Sequence, residues 1–137
     1  MQLGLHLTFA GQCEEAFRFY ERVLDGSGLL LFRYGDAPGG EELPAEWRSK
    51  IVHGSLTVGE RVLMGADAPV ESYARPQCMF VFLTCRDAAE AERLFVALAE
   101  GGTVQMPIGE TFWSPCFGVL VDRFGIPWEI TCEPPAA

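Results

Sequence analysis

Glu15-Ala16-Phe17-Arg18-Phe19-Tyr20 returns later in the chain as Glu90-Ala91-Glu92-Arg93-Leu94-Phe95. In each copy an acid and an alanine lead, and an aromatic ring follows four residues after the alanine, on the same helical face. Both belong to longer amphipathic patterns. Ala16, Phe17, Tyr20, Val23 and Leu24 recur at helical spacing in the first, and Ala91, Leu94, Phe95 and Leu98 in the second. Gly26 and Gly28 stop the first helix and Gly101-Gly102 the second. Asp87 stands in N-cap position with Glu90 three residues on, the spacing of a capping box.

Outward from the helices, the flanks repeat as well. Residues 3–10 alternate, with Leu3, Leu5, Leu7 and Phe9 on one side and Gly4, His6, Thr8 and Ala10 on the other, which predicts a half-buried strand. Residues 77–85 form its counterpart before the second helix. Each helix is followed by a short apolar strand, 28–34 and 103–108. Two further strands then close each copy, 50–58 with 61–66, turning at Gly59-Glu60, and 116–122 with 126–132. An acidic, Gly- and Pro-containing loop, 36–49, carries Trp47, and residues 67–76 read as a linker. The doubled order strand, helix, three strands predicts an α+β fold of two βαβββ modules, about 1–67 and 77–133, within a single domain 1–137.

The repeat also assigns faces, because Gly54, Leu56 and Val58 answer Gly118, Leu120 and Asp122. Val52, Gly54, Leu56 and Val58 are expected to meet the first helix. His53, Ser55 and Thr57 then point to the opposite, concave side. With them are expected His6 and Thr8, Val62 and Met64, Met79 and Val81, Phe117, Val119 and Val121, and Glu129. Trp128 alternates with Glu129 and is expected in the core.

The 137 residues carry a net charge of −9, with ten scattered Lys and Arg, so no basic stripe suits nucleic acid or an anionic membrane. No apolar run reaches the length of a membrane span. The start, Met1 to His6, lacks the basic region and cleavage site of a signal peptide, and a cytoplasmic location is expected. Cys13, Cys78, Cys85, Cys116 and Cys132 form no CxxC pair and are expected to be reduced, mostly as small core residues. Cys13 falls near a helix N-terminus, where a thiol can be activated.

The chain resembles the vicinal oxygen chelate superfamily, which includes glyoxalase I, extradiol dioxygenases and the bleomycin and fosfomycin resistance proteins. Within it, the chain is similar to the PhnB-like group. The resemblance is carried by Glu14-Glu15-Ala16-Phe17 with Tyr20, Arg33-Tyr34-Gly35-Asp36, Lys50-Ile51-Val52-His53, Leu63-Met64 with Asp67, Leu98-Ala99-Glu100-Gly101-Gly102, Thr111-Phe112-Trp113, and Asp122-Arg123-Phe124-Gly125 with Trp128. These cover nearly the whole chain in order. The resemblance implies paired modules whose half-sheets form a cup for a small molecule, and a homodimer. Some members of the group carry a ubiquinone-methyltransferase label, whereas no glycine-rich nucleotide loop follows the first strand here.

Metal-bearing members of the superfamily take ligands from the first and last strands of both modules. Carried through the repeat, those positions are His6, Met64, Val81 and Glu129. His6 and Glu129 can bind zinc, nickel, iron or manganese, Met64 offers only a thioether, and Val81 offers nothing. A third ligand can come from His53 or from a partner chain. The incomplete set favours a metal-free cup, with His6 and Glu129 as a hydrogen-bonded polar pair. His53 is a candidate general base or a plain wall residue. Glu110, Phe112 and Trp113 precede the seventh strand, where the two rings form either a wall over a ligand or a packed loop. Trp47 is either a partner contact or a loop anchor. The pocket residues expected are Thr8, Met64, Val81, Phe112, Trp113 and Phe117. Three functions compete: a small-molecule binder with no assigned reaction, a metal-dependent lyase, isomerase or dioxygenase using His6 and Glu129, and a metal-free sequestering protein of the resistance type.

Overall fold

In a computed structural model, which describes residues 1–135, the chain divides into two compact units, Met1–Ala74 and Arg75–Ala137. The first contains β1 (Leu5–Phe9), α1 (Cys13–Val23), β2 (Ser27–Arg33), the short α2 (Ala45–Arg48), β3 (Ile51–Val58) and β4 (Arg61–Asp67). The second contains β5 (Val81–Cys85), α3 (Ala88–Ala99), β6 (Thr103–Gly109), β7 (Phe117–Val121) and β8 (Pro127–Cys132). The first sheet runs β1-β4-β3-β2 and the second β5-β8-β7-β6. In both, the first strand pairs in parallel with the last and the other pairings are antiparallel. The expected α+β pair of βαβββ units is therefore what the chain forms.

Each unit has its own core. In the first, Leu7, Phe9, Leu56 and Leu63 from the sheet are buried with Ala16, Phe17 and Tyr20 of α1. In the second, Leu120, Trp128 and Ile130 are buried, as are Ala91, Leu94, Phe95 and Leu98 of α3. A glycine admits an aromatic ring of the helix in both. A Cβ on Gly65 would lie 2.8 Å from the Phe17 ring, and one on Gly118 2.7 Å from the Phe95 ring. Native packing density leaves no slack for either added carbon.

The helix starts differ. Asp87 caps α3 locally, its carboxylate accepting from the Glu90 N–H at 2.8 Å, as the capping-box spacing predicts. The Gln12 side chain gives α1 no such bond. Instead Asp67, at the far end of β4, accepts from the N–H groups of Gly11 at 3.0 Å and Cys13 at 2.9 Å. Its second oxygen takes the Ile51 N–H at 2.9 Å. A buried carboxylate thus joins α1, β3 and β4. Residue 67 is the last of a strand and not the first of a linker. Asp122, also buried, does the comparable work in the second unit, accepting from the N–H groups of Phe124 and Ile126 and from Trp128 Nε1.

Two expected faces need correction. Val52 is exposed and Ile51 is fully buried in its stead. The β2–β3 register pairs Phe32 with His53 but Arg33 with Ile51, so Val52 is the extra residue of a bulge and drops out of the alternation. In the second unit, β5 starts at Val81, and Val81 pairs with buried Trp128, whereas Phe82 pairs with Glu129. Val81 therefore shares the helix-side register, and Phe82 and Thr84 take the open face. Met79 precedes the strand. The acidic loop is not irregular throughout: it contains α2, whose Trp47 meets Tyr34 edge-on at 5.6 Å. Trp47, half-buried, thus has a packing partner within its own unit.

Candidate functional site

Each sheet has one face covered by its helix and one that is not. On the open face of the first sheet, register brings His6, Met64, Ser55 and Leu30 into one row across the four strands. Thr8, His53 and Phe32 stand on the same face. The His53 ring stacks on Phe32 at 6.3 Å between centroids, with planes 27° apart. That contact leans His53 towards β2, one edge of the sheet, whereas His6 is on β1, the other edge. His53 is therefore not placed to complete a ligand set with His6.

The corresponding row of the second sheet is Phe82, Glu129, Val119 and Met106. The next contains Thr84, Thr131 and Phe117. Glu129 is the single charged residue in the four strands of this unit. Among the described residues no hydrogen-bond or ion-pair partner reaches its carboxylate.

The loop joining β6 to β7 continues this face. Its fixed point is Ser114, a buried hydroxyl that sequence reasoning missed. Ser114 Oγ donates to the Cys116 carbonyl at 2.9 Å, accepts from the Cys116 N–H and shares a 2.8 Å hydrogen bond with Thr131 Oγ1 of β8. The Thr111 N–H donates to the Ser114 carbonyl, and Thr111 Oγ1 accepts from the Ser114 N–H. This network holds both ends of the loop against the sheet. The two residues between them project: Phe112 is 97% exposed and Trp113 56%. Phe112 meets Trp113 edge-on at 4.8 Å, and Trp113 meets Phe117 edge-on at 5.5 Å. The result is a ladder of three rings descending onto the open face. A Ser-Pro pair after two aromatics was the available signal, but nothing in it identified Thr131 as the partner.

Cys13, Cys85, Cys116 and Cys132 are buried as core residues, whereas Cys78 is exposed. Cys13 is fully buried, and its pKa is pushed up to about 12 by burial first and then by the nearby Asp67 and Glu14 carboxylates. Burial likewise raises Cys85 to about 11 and Cys116 above the ordinary thiol value. A thiolate nucleophile at Cys13 is therefore disfavoured despite its position at the start of α1. Elsewhere, a recess of about 630 Å³ lies along α3 and β6, lined by residues including Phe95, Val96, Ala99 and Val104. It brings together no histidine, thiol or hydroxyl, and the convergent chemistry is on the open faces instead.

A metal centre does not fit the residues present. At the four superfamily positions, His6 and Glu129 are donors and Met64 is a thioether. The fourth falls to Phe82 once the register is known, and Phe82 has no donor atom. Among the described residues no group of three His, Cys, Asp or Glu is assembled to hold a metal ion.

This is the glyoxalase fold, shared with a glyoxalase-related enzyme from Fulvimarina pelagi at 22% identity and a TM-score of 0.59, covering 98% of this chain and 90% of that one. The chain belongs to the family described as 3-demethylubiquinone-9 3-methyltransferase, whose model matches residues 2–131. It is 30% identical over 138 residues to protein YjdN of Escherichia coli, covering 95% of this chain and 94% of that protein. Among solved structures it is similar to protein PA1353 from Pseudomonas aeruginosa, at 43% identity and a TM-score of 0.84, covering 97% of this chain and 98% of that one. A PhnB protein from Bacillus cereus aligns at 27% identity and a TM-score of 0.81, covering 97% of this chain and all of the other. Among the described residues no helix is long and apolar enough to cross a membrane.

Proposed function

We propose that the protein binds a small, partly apolar molecule on the open face of its second sheet, beneath the loop 110–116, and that it does so without a metal ion. The observation that carries this reading is the ring ladder Phe112–Trp113–Phe117, held out by a loop whose own polar groups are satisfied. Exposing a large aromatic side chain forgoes about 1.5–3 kcal/mol of burial. A loop anchored by Ser114 and Thr131 has no packing need to present two such rings, and a ligand supplies the missing cover.

The methyltransferase description of the family is a weaker guide to activity. A nucleotide-type methyl donor needs free backbone N–H groups at a glycine-rich turn or helix start. At the start of α1, the Gly11 and Cys13 N–H groups are already taken by Asp67. Calorimetric titration with S-adenosylmethionine is expected to show no binding at millimolar concentration.

Two titrations test the main reading. The probe phenylbutanol should bind, quenching or shifting Trp113 emission, and Trp113→Ala should weaken it about tenfold. Equal affinity in the wild type and the variant would remove the basis for the site. Zinc, nickel, iron(II) and manganese should bind no tighter than about millimolar, worth only ~4 kcal/mol. Micromolar affinity lost in both His6→Ala and Glu129→Ala would restore the metal-enzyme alternative.

A further inference from the structure

We infer that the second sheet selects an organic cation, a protonated amine or quaternary ammonium joined to an aromatic or branched apolar body. The inference rests on the reading that this face is the ligand site, and it adds the ligand's charge.

The argument starts from what surrounds Glu129. On its own row it is flanked by Phe82 on β5 and Val119 on β7, with Met106 beyond. Phe117 and Thr131 stand on the next row. No Lys, Arg or His occurs in β5, β6, β7 or β8, nor in the loop 110–116, whose one charged group is Glu110. Every charge in those strands and that loop is therefore negative. Among the described residues the half-buried Glu129 carboxylate has no partner, unlike the buried carboxylates of Asp67 and Asp122, each with at least three donors. A structural acid in this fold is satisfied by the chain. Glu129 is not.

A carboxylate among apolar side chains is costly to cover with a neutral or anionic ligand, because its hydration is lost without replacement. A ligand that carries its own cation supplies the missing charge-assisted hydrogen bond, about 1.5–3 kcal/mol. Phe82 is paired with Glu129, Phe117 stands on the next row and Trp113 meets Phe117 edge-on, so the cation's alkyl or N-methyl shell has π surfaces to meet. The net charge of −9 raises the local concentration of cations and lowers that of anions. Ring ladder and carboxylate together thus specify an amphipathic ligand: the apolar body against Phe112, Trp113 and Phe117, the cationic nitrogen at Glu129.

The test compares three probes of nearly equal size, phenylbutylamine, phenylbutanol and phenylbutyrate, by calorimetry at neutral pH and low salt. The amine should bind about tenfold tighter than the alcohol, with the acid weakest. Glu129→Gln, nearly isosteric, should bring the amine to within about twofold of the alcohol and leave the alcohol unchanged. Trp113→Ala should weaken amine and alcohol alike. If amine and alcohol bind equally to the wild-type protein, the cation inference is overturned while the ligand site stands. If Glu129→Gln keeps the amine preference, the charge is read elsewhere and the inference is likewise overturned. If no probe binds, both fall.

Discussion

The two open faces stand on the same scaffold and both carry apolar side chains, but they differ in their ionisable groups and in their rings. Strand order, parallel closing pair and glycine-seated helix ring recur in each unit. Yet the first face carries His6, Thr8, His53 and Ser55, hydrogen-bonding groups spread over β1 and β3. The second carries Phe82, Met106, Phe117 and Val119 around one carboxylate. The difference teaches where duplication constrains a chain and where it does not. Helix-side positions must fill a core and stay alike, while open-side positions are not held to that core and are free to diverge.

The largest effect should come from the scaffold and spare neither the polar nor the aromatic character of the faces. Removing the Asp67 carboxylate with Asp67→Ala leaves the Gly11, Cys13 and Ile51 N–H groups without their acceptor. A loss of about 3 kcal/mol or more is expected in urea unfolding, since each orphaned buried donor costs roughly 1–3 kcal/mol. A loss below about 1 kcal/mol would mean that water replaces the carboxylate, and that α1 has no need of its distant cap.

A smaller effect separates the faces themselves. Phe32→Ala and Phe117→Ala each remove one ring, an exposed one stacked on His53 and a half-buried one at the foot of the ladder. Phenylbutanol affinity should fall about tenfold with Phe117→Ala, roughly 1.4 kcal/mol, and by less than twofold with Phe32→Ala. Equal losses would break the comparison, because both faces would then contribute to one site.

The smallest effect belongs to the ion pairs on the surface of the first unit. Arg33 donates to both Glu14 oxygens, at 2.9 and 3.1 Å, and holds the Glu14 carboxyl down to about 2, with Arg18 assisting. The folded pKa lies below the unfolded value near 4.5. The pair's stabilisation is therefore present above pH 4.5 and is lost as pH falls from there towards 2. Glu14 is about a third exposed, so solvent screening keeps the contribution below ~1 kcal/mol. Glu14→Gln should lower stability by a few tenths to ~1 kcal/mol at pH 7 and by much less at pH 2. A difference of the same size at both pH values would mean that packing, not charge, is what the substitution removes.

The legible part of this fold was whatever is written locally. The doubled helix pattern, the glycine stops and the Asp87–Glu90 spacing each lie within a dozen residues, and each formed where expected. Trp128 went to the core because alternation alone puts it there. What stayed hidden depends on partners far along the chain. Asp67 reads as the start of a linker until Gly11, Cys13 and Ile51 are seen to converge on it. The bulge at Val52 is a property of pairing with β2, and a single strand's pattern carries no sign of it. The β5 register is a one-residue matter, and one residue reverses the face: Val81 gave way to Phe82, which left that metal position without a donor and added a ring to the apolar face. Ser114 likewise has meaning only with Thr131.

Methyl-resolved NMR during a phenylbutanol titration tests the central claim most directly, since one methionine stands in the middle row of each face, Met64 in the first and Met106 in the second. Saturable shifts at the Met106 methyl, with the Met64 methyl unmoved, are the expected result. Shifts at Met64 with Met106 unmoved would place the ligand on the histidine-bearing face and contradict the assignment of binding to the second sheet.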